Sequence, residues 1–188
     1  LLSDDTATEQ SRGQRGWEDE HHGPIGSWGD FERYRWPTVS DRDFADIEAC
    51  AAILPDGMKV TVTLPGGVLE NLIRLIGYEP LCYALIEQPD LVQAVVDKIG
   101  ETELTMYRVL CQFEHVGLVW LNDDLGFKTQ TMIGPHHLRQ YVFPWHQRLV
   151  QYAHDLDCRY YKAEALTDEY IAAMRAIPEY LRSVGLDP

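Results

Sequence analysis

The sequence predicts an α/β protein made of parallel β/α units, part of a (β/α)8 TIM-type barrel behind an irregular N-terminal arm. Three observations point there. Val116–Gly134 (VGLVWLNDDLGFKTQTMIG) is an apolar strand-like run that stops at Asn122-Asp123-Asp124 and passes through a loop towards a helix. Met58–Leu64 (MKVTVTL) is a second, β-branched strand, broken by Pro65-Gly66-Gly67 before a helical period resumes. The resulting order of strand, helices, strand and helix argues for right-handed crossovers in one sheet rather than separate helical and sheet regions. A closed barrel needs ~200 residues or more. This chain has 188 and spends residues 1–40 on the arm, so residues 41–188 fit a portion of a barrel.

Each element has a local reason. Residues 1–40 are rich in Gly, Trp and charge and show no sustained apolar period, which predicts an arm anchored by Trp17, Ile25, Trp28, Phe31, Tyr34 and Trp36. Ser40-Asp41-Arg42-Asp43 has capping chemistry and starts a helix with Phe44, Ile47, Ala51 and Ile53 on its apolar stripe, before Pro55-Asp56-Gly57 turns the chain. Val68–Ile76 reads as a helix ended by Gly77, Glu79–Glu87 as a short one, and Gln88-Pro89-Asp90 as the start of a longer one reaching about Glu114. Gly117–Leu121 is almost continuously apolar, as in a strand covered on both faces. Gly134-Pro135 opens a helix from His136 to about His154, with Leu138, Tyr141, Val142, Trp145, Leu149 and Tyr152 inward and Pro144 kinking it. Thr167-Asp168-Glu169 caps a last helix, bent at Pro178.

Composition excludes several classes of function. An apolar share of 45% is ordinary for a globular chain. No apolar stretch approaches the ~20 residues of a membrane span, and LLSDDTATEQ carries neither a basic region nor a hydrophobic signal core. The expectation is therefore a cytoplasmic protein with no membrane partner. Lys plus Arg number 16 against 30 Asp plus Glu, a formal charge of −14, and such a field repels nucleic acid. Cys50, Cys82, Cys111 and Cys158 form no CxxC pair and read as reduced core thiols rather than disulfides.

The candidate chemistry sits at the strand ends. In parallel α/β folds the ligand face lies beyond the carboxyl ends of the strands, where Asp123 and Asp124 fall. They are suited to general acid and base work, to metal ligation, or to accepting hydrogen bonds from an amine or hydroxyl substrate. Adjacent strand residues face opposite ways, so one of the two enters the pocket. The bland reading is that one caps a loop or pairs with Lys128. Asn122, Phe127 and Lys128 bring further binding groups to the same rim. Glu70, with Asn71 beside it, follows Pro65-Gly66-Gly67 at the other strand exit and also reaches the pocket; its bland reading is a first-turn acid favoured by the helix dipole. No metal site is predicted. His136, His137 and His146 lack partners at ligand spacing and read as surface or cap residues, His21-His22 as exposed arm residues, and His154 with Cys158 is at most half a zinc site.

The segments DEHHGPIGSWGDFERYRWP, LPGGVLENLIRLIGYEPLCYALIEQPDLVQAVVDKIG, LVWLNDDLGFKTQTMIGP and HHLRQYVFPWHQRLVQYAH together resemble the uroporphyrinogen decarboxylase superfamily over about Trp17 to His154. The resemblance is nearer to its cobamide-dependent methyltransferase-like branch, and NDDLGFKTQTMIGP followed by YVFPWH is its most specific part. It implies a (β/α)8 barrel with its pocket at the strand ends, a small-molecule substrate, a corrinoid protein as partner, and zinc holding a thiolate. Two departures limit it. The decarboxylases' arginine-bearing opening segment has no match here, and neither has the methyltransferases' His-x-Cys pair after His154, where the chain reads HDLDCRYYKAEALTDEY; the chain looks truncated or internally incomplete. A carboxylate at the strand end would repel propionate and acetate arms, so the expected substrate is small and neutral or cationic. Two alternatives stand beside it. One is a uroporphyrinogen-type decarboxylase, which needs no cofactor. The other is a non-catalytic truncated barrel, a binding or assembly module that pairs its open sheet edge with a second copy.

Overall fold

The computed structural model describes residues 21–39 and 44–155. They divide into two compact units, residues 21–39, 64–103 and 121–133 in one and residues 44–63, 104–120 and 134–155 in the other. The second unit holds the sheet. β1 (Val60–Thr63) and β2 (Val116–Trp120) pair in parallel, with Val60 opposite Val116 and Thr61, Val62 and Thr63 opposite Leu118, Val119 and Trp120. The register steps past Gly117, where a Cβ would stand 2.5 Å from that of Lys59. Glycine is therefore what lets the two backbones close there. A parallel pair needs a crossover, and here the chain between the strands forms three helices.

Those helices are α3 (Val68–Ile76), α4 (Tyr78–Glu87) and α5 (Pro89–Leu110). In the first unit α3 buries Val68, Leu69, Leu72, Leu75 and Ile76, and α4 buries Leu81, Ala84 and Leu85. The early turns of α5 bury Leu91, Val92, Val95, Val96 and Ile99. The spacing is helical, and each fully buried aliphatic side chain stabilises by about 1.5–3 kcal/mol before its loss of entropy. Gly77, at φ +92°, ends α3 with its N–H on the Ile73 carbonyl at 2.7 Å, a conformation that strains any residue with a Cβ. Pro89 opens α5, where its missing N–H would have had no helical partner.

The arm is more regular than its composition predicts. Trp28–Arg33 is a short helix (α1), capped by Ser27, whose hydroxyl accepts the Asp30 N–H at 3.3 Å and donates to the Asp30 carboxylate at 2.7 Å. Edge-to-face contacts tie Trp28 to Phe31 and both Phe31 and Tyr34 to Trp36, at 4.9–5.6 Å between ring centroids. Ile25 is fully buried, and its N–H donates to the Leu75 carbonyl at 2.9 Å. Trp17 lies outside the described residues.

In the second unit α2 (Ala45–Ala51) follows Phe44, which is buried with Phe113 at 6.2 Å; Ser40 to Asp43, the predicted cap, lie outside the described residues. Ile53 was expected on the apolar stripe but is 83% exposed, because the helix stops at Ala51 and Ile53 falls beyond it. β2, expected to be covered on both faces, is half-buried with Trp120 54% exposed. The described residues contain only this two-stranded sheet, so β2 is an edge strand. The helix predicted from His136 is present in three parts, α6 (Pro135–His137), a π-helical turn (Leu138–Val142) and α7 (Phe143–Asp155). Phe143 donates to the Leu138 carbonyl, five residues back, immediately before Pro144. Widening the turn there accommodates a residue with no N–H to give. The helix predicted from Thr167 lies outside the described residues.

Cys50 and Cys82 are exposed and Cys111 is partly buried, all as free thiols, so two of the predicted core cysteines are on the surface. For Cys82 the reason is angular, since Leu81, Ala84 and Leu85 take the inner face of α4. No helix is long and apolar enough to cross a membrane among the described residues.

Candidate functional site

Two segments that follow the strands in sequence, Pro65–Gly67 and Asn122–Asp124, meet within the first unit. The Asp123 carboxylate accepts the backbone N–H groups of Leu69 at 2.9 Å and Glu70 at 3.0 Å. These belong to the first turn of α3, whose N-terminal amides have no helical acceptor and whose dipole favours a negative charge. The two glycines make the approach possible. A Cβ on Gly67 would stand 2.4 Å from the Asp123 Cβ, and Gly66 adopts φ +74° beneath the side chains of Arg74, Glu70 and Asn71. The Pro65-Gly66-Gly67 break is thus a docking place for Asp123.

Around this contact lie Glu70, Asn71, Arg74 and Glu103. Glu70 is half-buried, and its carboxyl is pushed above the usual range by burial and then by the Asp123 charge, with Arg74 acting in the opposite direction. Asn71 is 4% exposed and donates through Nδ2 to the Pro65 carbonyl at 3.3 Å and to Glu103 Oε1 at 3.4 Å. Glu103, also 4% exposed, has its carboxyl pushed up to about 8 by burial first and by Asp123 next, opposed by the Asn71 hydrogen bond.

The predicted site residues take different places. Asp123 is half-buried and engaged with the α3 amides. Asp124 is exposed and accepts the Gly126 N–H at 3.2 Å, which shapes the next loop. Both acids lie beyond the end of β2, Asp123 turned to α3 and Asp124 to the loop. Asn122 is exposed, and its backbone carbonyl, not its side chain, lies against Gly67. The Glu70 backbone N–H is held by Asp123, whereas the Asn71 side chain is turned inward to Glu103. Phe127 and Lys128 sit on a tight loop closed by Phe127 N–H to Gln130 O at 2.7 Å and Met132 N–H to Leu125 O at 2.9 Å. Phe127 is 52% exposed with its ring edge-on to Tyr78, whose hydroxyl donates to the Met132 carbonyl at 2.7 Å, and Lys128 is exposed.

Glu103 is the member that sequence reading missed. Its signal was nevertheless present: Val92, Val96, Ile99, Tyr107 and Leu110 form the apolar stripe of α5, and Glu103 occupies the same stripe. A lone acid at an apolar helical position is a buried titratable group in waiting.

Among the described residues no group of three or more His, Cys, Asp or Glu is arranged to hold a metal ion. His136 is exposed and stacks at 3.8 Å on His137, whose imidazole is held below its ordinary value by partial burial and then by that neighbour. His146 is buried at 2% exposure, not on the surface as predicted, because it follows Trp145 on the inner side of α7. His154 is exposed and Cys158 lies outside the described residues. Comparison with family models, with curated proteins and with solved structures finds no match for this chain.

Proposed function

We propose that this chain is a uroporphyrinogen decarboxylase-superfamily protein, a β/α barrel portion acting as a methyltransferase-like enzyme with a corrinoid protein as partner. Its substrate is small and neutral or cationic. The observation that carries this reading is the run of acids at the strand exits, with half-buried Glu70 held above the usual carboxylate range by burial and by Asp123 beside it. Acids so gathered attract a cation, tolerate a neutral molecule and repel carboxylate arms.

A corrinoid supplies the methyl group. The residues of this chain bind and orient the acceptor X–H and take its proton. Glu70, whose carboxyl is held above the usual range by burial and the Asp123 charge, would accept the proton that the acceptor X–H gives up. Asp123 holds the first turn of α3 and so fixes where Glu70 starts. Phe127 and Lys128 line the rim. Zinc is implied by the resemblance, but the described residues offer no ligand set that fits it, and no step is assigned to it.

The test is methyl transfer from methylcobalamin to neutral, cationic and anionic thiols, followed by the absorbance of the cob(I)alamin released. Turnover lowered at least tenfold by Glu70→Gln supports the reading. Loss of carboxyl groups from uroporphyrinogen would support the decarboxylase instead, despite the acids. A second reading, an assembly module, is favoured by one observation: half-buried β2 carries Trp120 at 54% exposure in a sheet of two strands. A stable dimer in solution with no turnover of either kind would favour it.

A further inference from the structure

Glu103 raises a question that the proposed chemistry leaves aside. It sits in the apolar stripe of α5 and faces Asn71 and Glu70 from α3 and Asp123 from the segment after β2. None of these is a cation; Arg74, the nearby guanidinium, donates to the Pro65 carbonyl at 3.5 Å. An ionised carboxylate there would be buried against two other carboxylates, one of the least favourable settings for a charge.

The hydrogen bonds suggest how this is resolved. The Pro65 carbonyl can only accept, so the amide nitrogen of Asn71 must face it, and that fixes which way round the amide lies. Its second N–H reaches Glu103 Oε1 at 3.4 Å. Among the described residues, two buried atoms are then left without a hydrogen-bond partner, Asn71 Oδ1 and Glu103 Oε2. Buried polar atoms are rarely left so. A proton on Glu103 would give both atoms a partner. A carboxylic acid and a primary amide pair through two antiparallel hydrogen bonds, N–H to the acid carbonyl and O–H to the amide oxygen, and the first of these is in place.

We propose that Glu103 is a neutral carboxylic acid closed onto Asn71 as an acid–amide pair, and that this pair is the positioning element of the candidate site. It acts through Asn71 on the Pro65 carbonyl, and so on the Gly66-Gly67 turn that receives Asp123 and starts Glu70. The same pair makes the turn sensitive to alkali. Once Glu103 ionises, near pH 8, the O–H bond is lost and a third negative charge joins Glu70 and Asp123. The effect on turnover rests on the proposed function; the pair does not.

The experiment is carboxyl-carbon NMR of the full chain labelled at glutamate, titrated from pH 5 to pH 10, with infrared difference spectra against Glu103→Gln. One glutamate resonance titrating near pH 8, and a protonated-carboxyl stretch present at pH 7 and absent from Glu103→Gln, are expected. Glutamine can make the same two-bond pair with Asn71, so Glu103→Gln keeps methyl transfer within about threefold at pH 7 and loses the alkaline fall, whereas Glu103→Leu loses activity at every pH. All glutamates titrating below pH 6 in the wild-type chain overturn the proposal, and that readout stands even if a variant fails to fold. The titrating resonance without methyl transfer keeps the pair and removes the proposed enzyme. Methyl transfer without the resonance does the reverse.

Discussion

Replacing Asp123 with alanine removes the carboxylate that both the Leu69 and Glu70 amides use, at 2.9 and 3.0 Å. Hydrogen bonds to a charged group contribute about 1.5–3 kcal/mol each, so the gross loss is roughly 3–6 kcal/mol. Part of this is returned, because Asp123 also raises Glu70 and Glu103 by repulsion, and that unfavourable charge disappears with it. Losses on removing a helix cap run to about 2 kcal/mol. The net expectation is a destabilisation of about 2 kcal/mol, or a fall in Tm of roughly 4–8 °C for a chain of this size. Urea unfolding followed by tryptophan fluorescence measures it as a lower midpoint at unchanged slope. Asp123→Asn keeps one acceptor and should fall between wild type and alanine. If Asp123→Ala unfolds within about 0.5 kcal/mol of wild type, Asp123 does not anchor α3 and the reasoning about Gly66 and Gly67 fails with it.

Other expectations follow from the same geometry. Gly67→Ala places a Cβ 2.4 Å from that of Asp123 and 2.6 Å from the Asn122 carbonyl oxygen, so urea unfolding should show a loss of about 1–3 kcal/mol, which persists in an Asp123→Ala background because alanine keeps the Cβ. Glu103 is protonated in the fold up to about pH 8 but only up to about 4.5, its ordinary value, when unfolded. Its contribution is therefore fully present below pH 4.5 and is lost as pH rises to about 8, roughly 3.5 pH units at about 1.36 kcal/mol each, or about 5 kcal/mol. Unfolding free energies of wild type and Glu103→Gln across pH 5–9 should diverge with that slope. Asp123→Asn removes the second-largest cause of the raised Glu70 carboxyl, so the acid limb of any pH–rate profile should move to lower pH in that variant.

The crossover helices were legible because apolar residues spaced by three and four are a strong signal, and Gly77 and Pro89 mark their ends. The strands were legible in place but not in burial, since an apolar run does not say how many neighbours a sheet has. α1 was missed because its six residues present no buried face, leaving only the Ser27 and Asp30 cap as a signal. The site was half legible. Two strand exits carrying acids located Asp123 and Glu70, but which oxygen meets which amide depends on contacts more than fifty positions apart in the chain. Glu103 was hidden by its own helix, where an acid in the apolar stripe passes for an exposed one until a partner such as Asn71 is seen.

The most direct test of the central claim compares thiol acceptors that differ only in charge, in methyl transfer from methylcobalamin by the wild-type chain and by Glu70→Gln. Neutral and cationic acceptors are predicted to be methylated at least tenfold faster than an anionic one, with that rate lost in Glu70→Gln. Equal rates for all three charges, or rates untouched by Glu70→Gln, would contradict the proposal that this acidic strand-end cluster is a catalytic site.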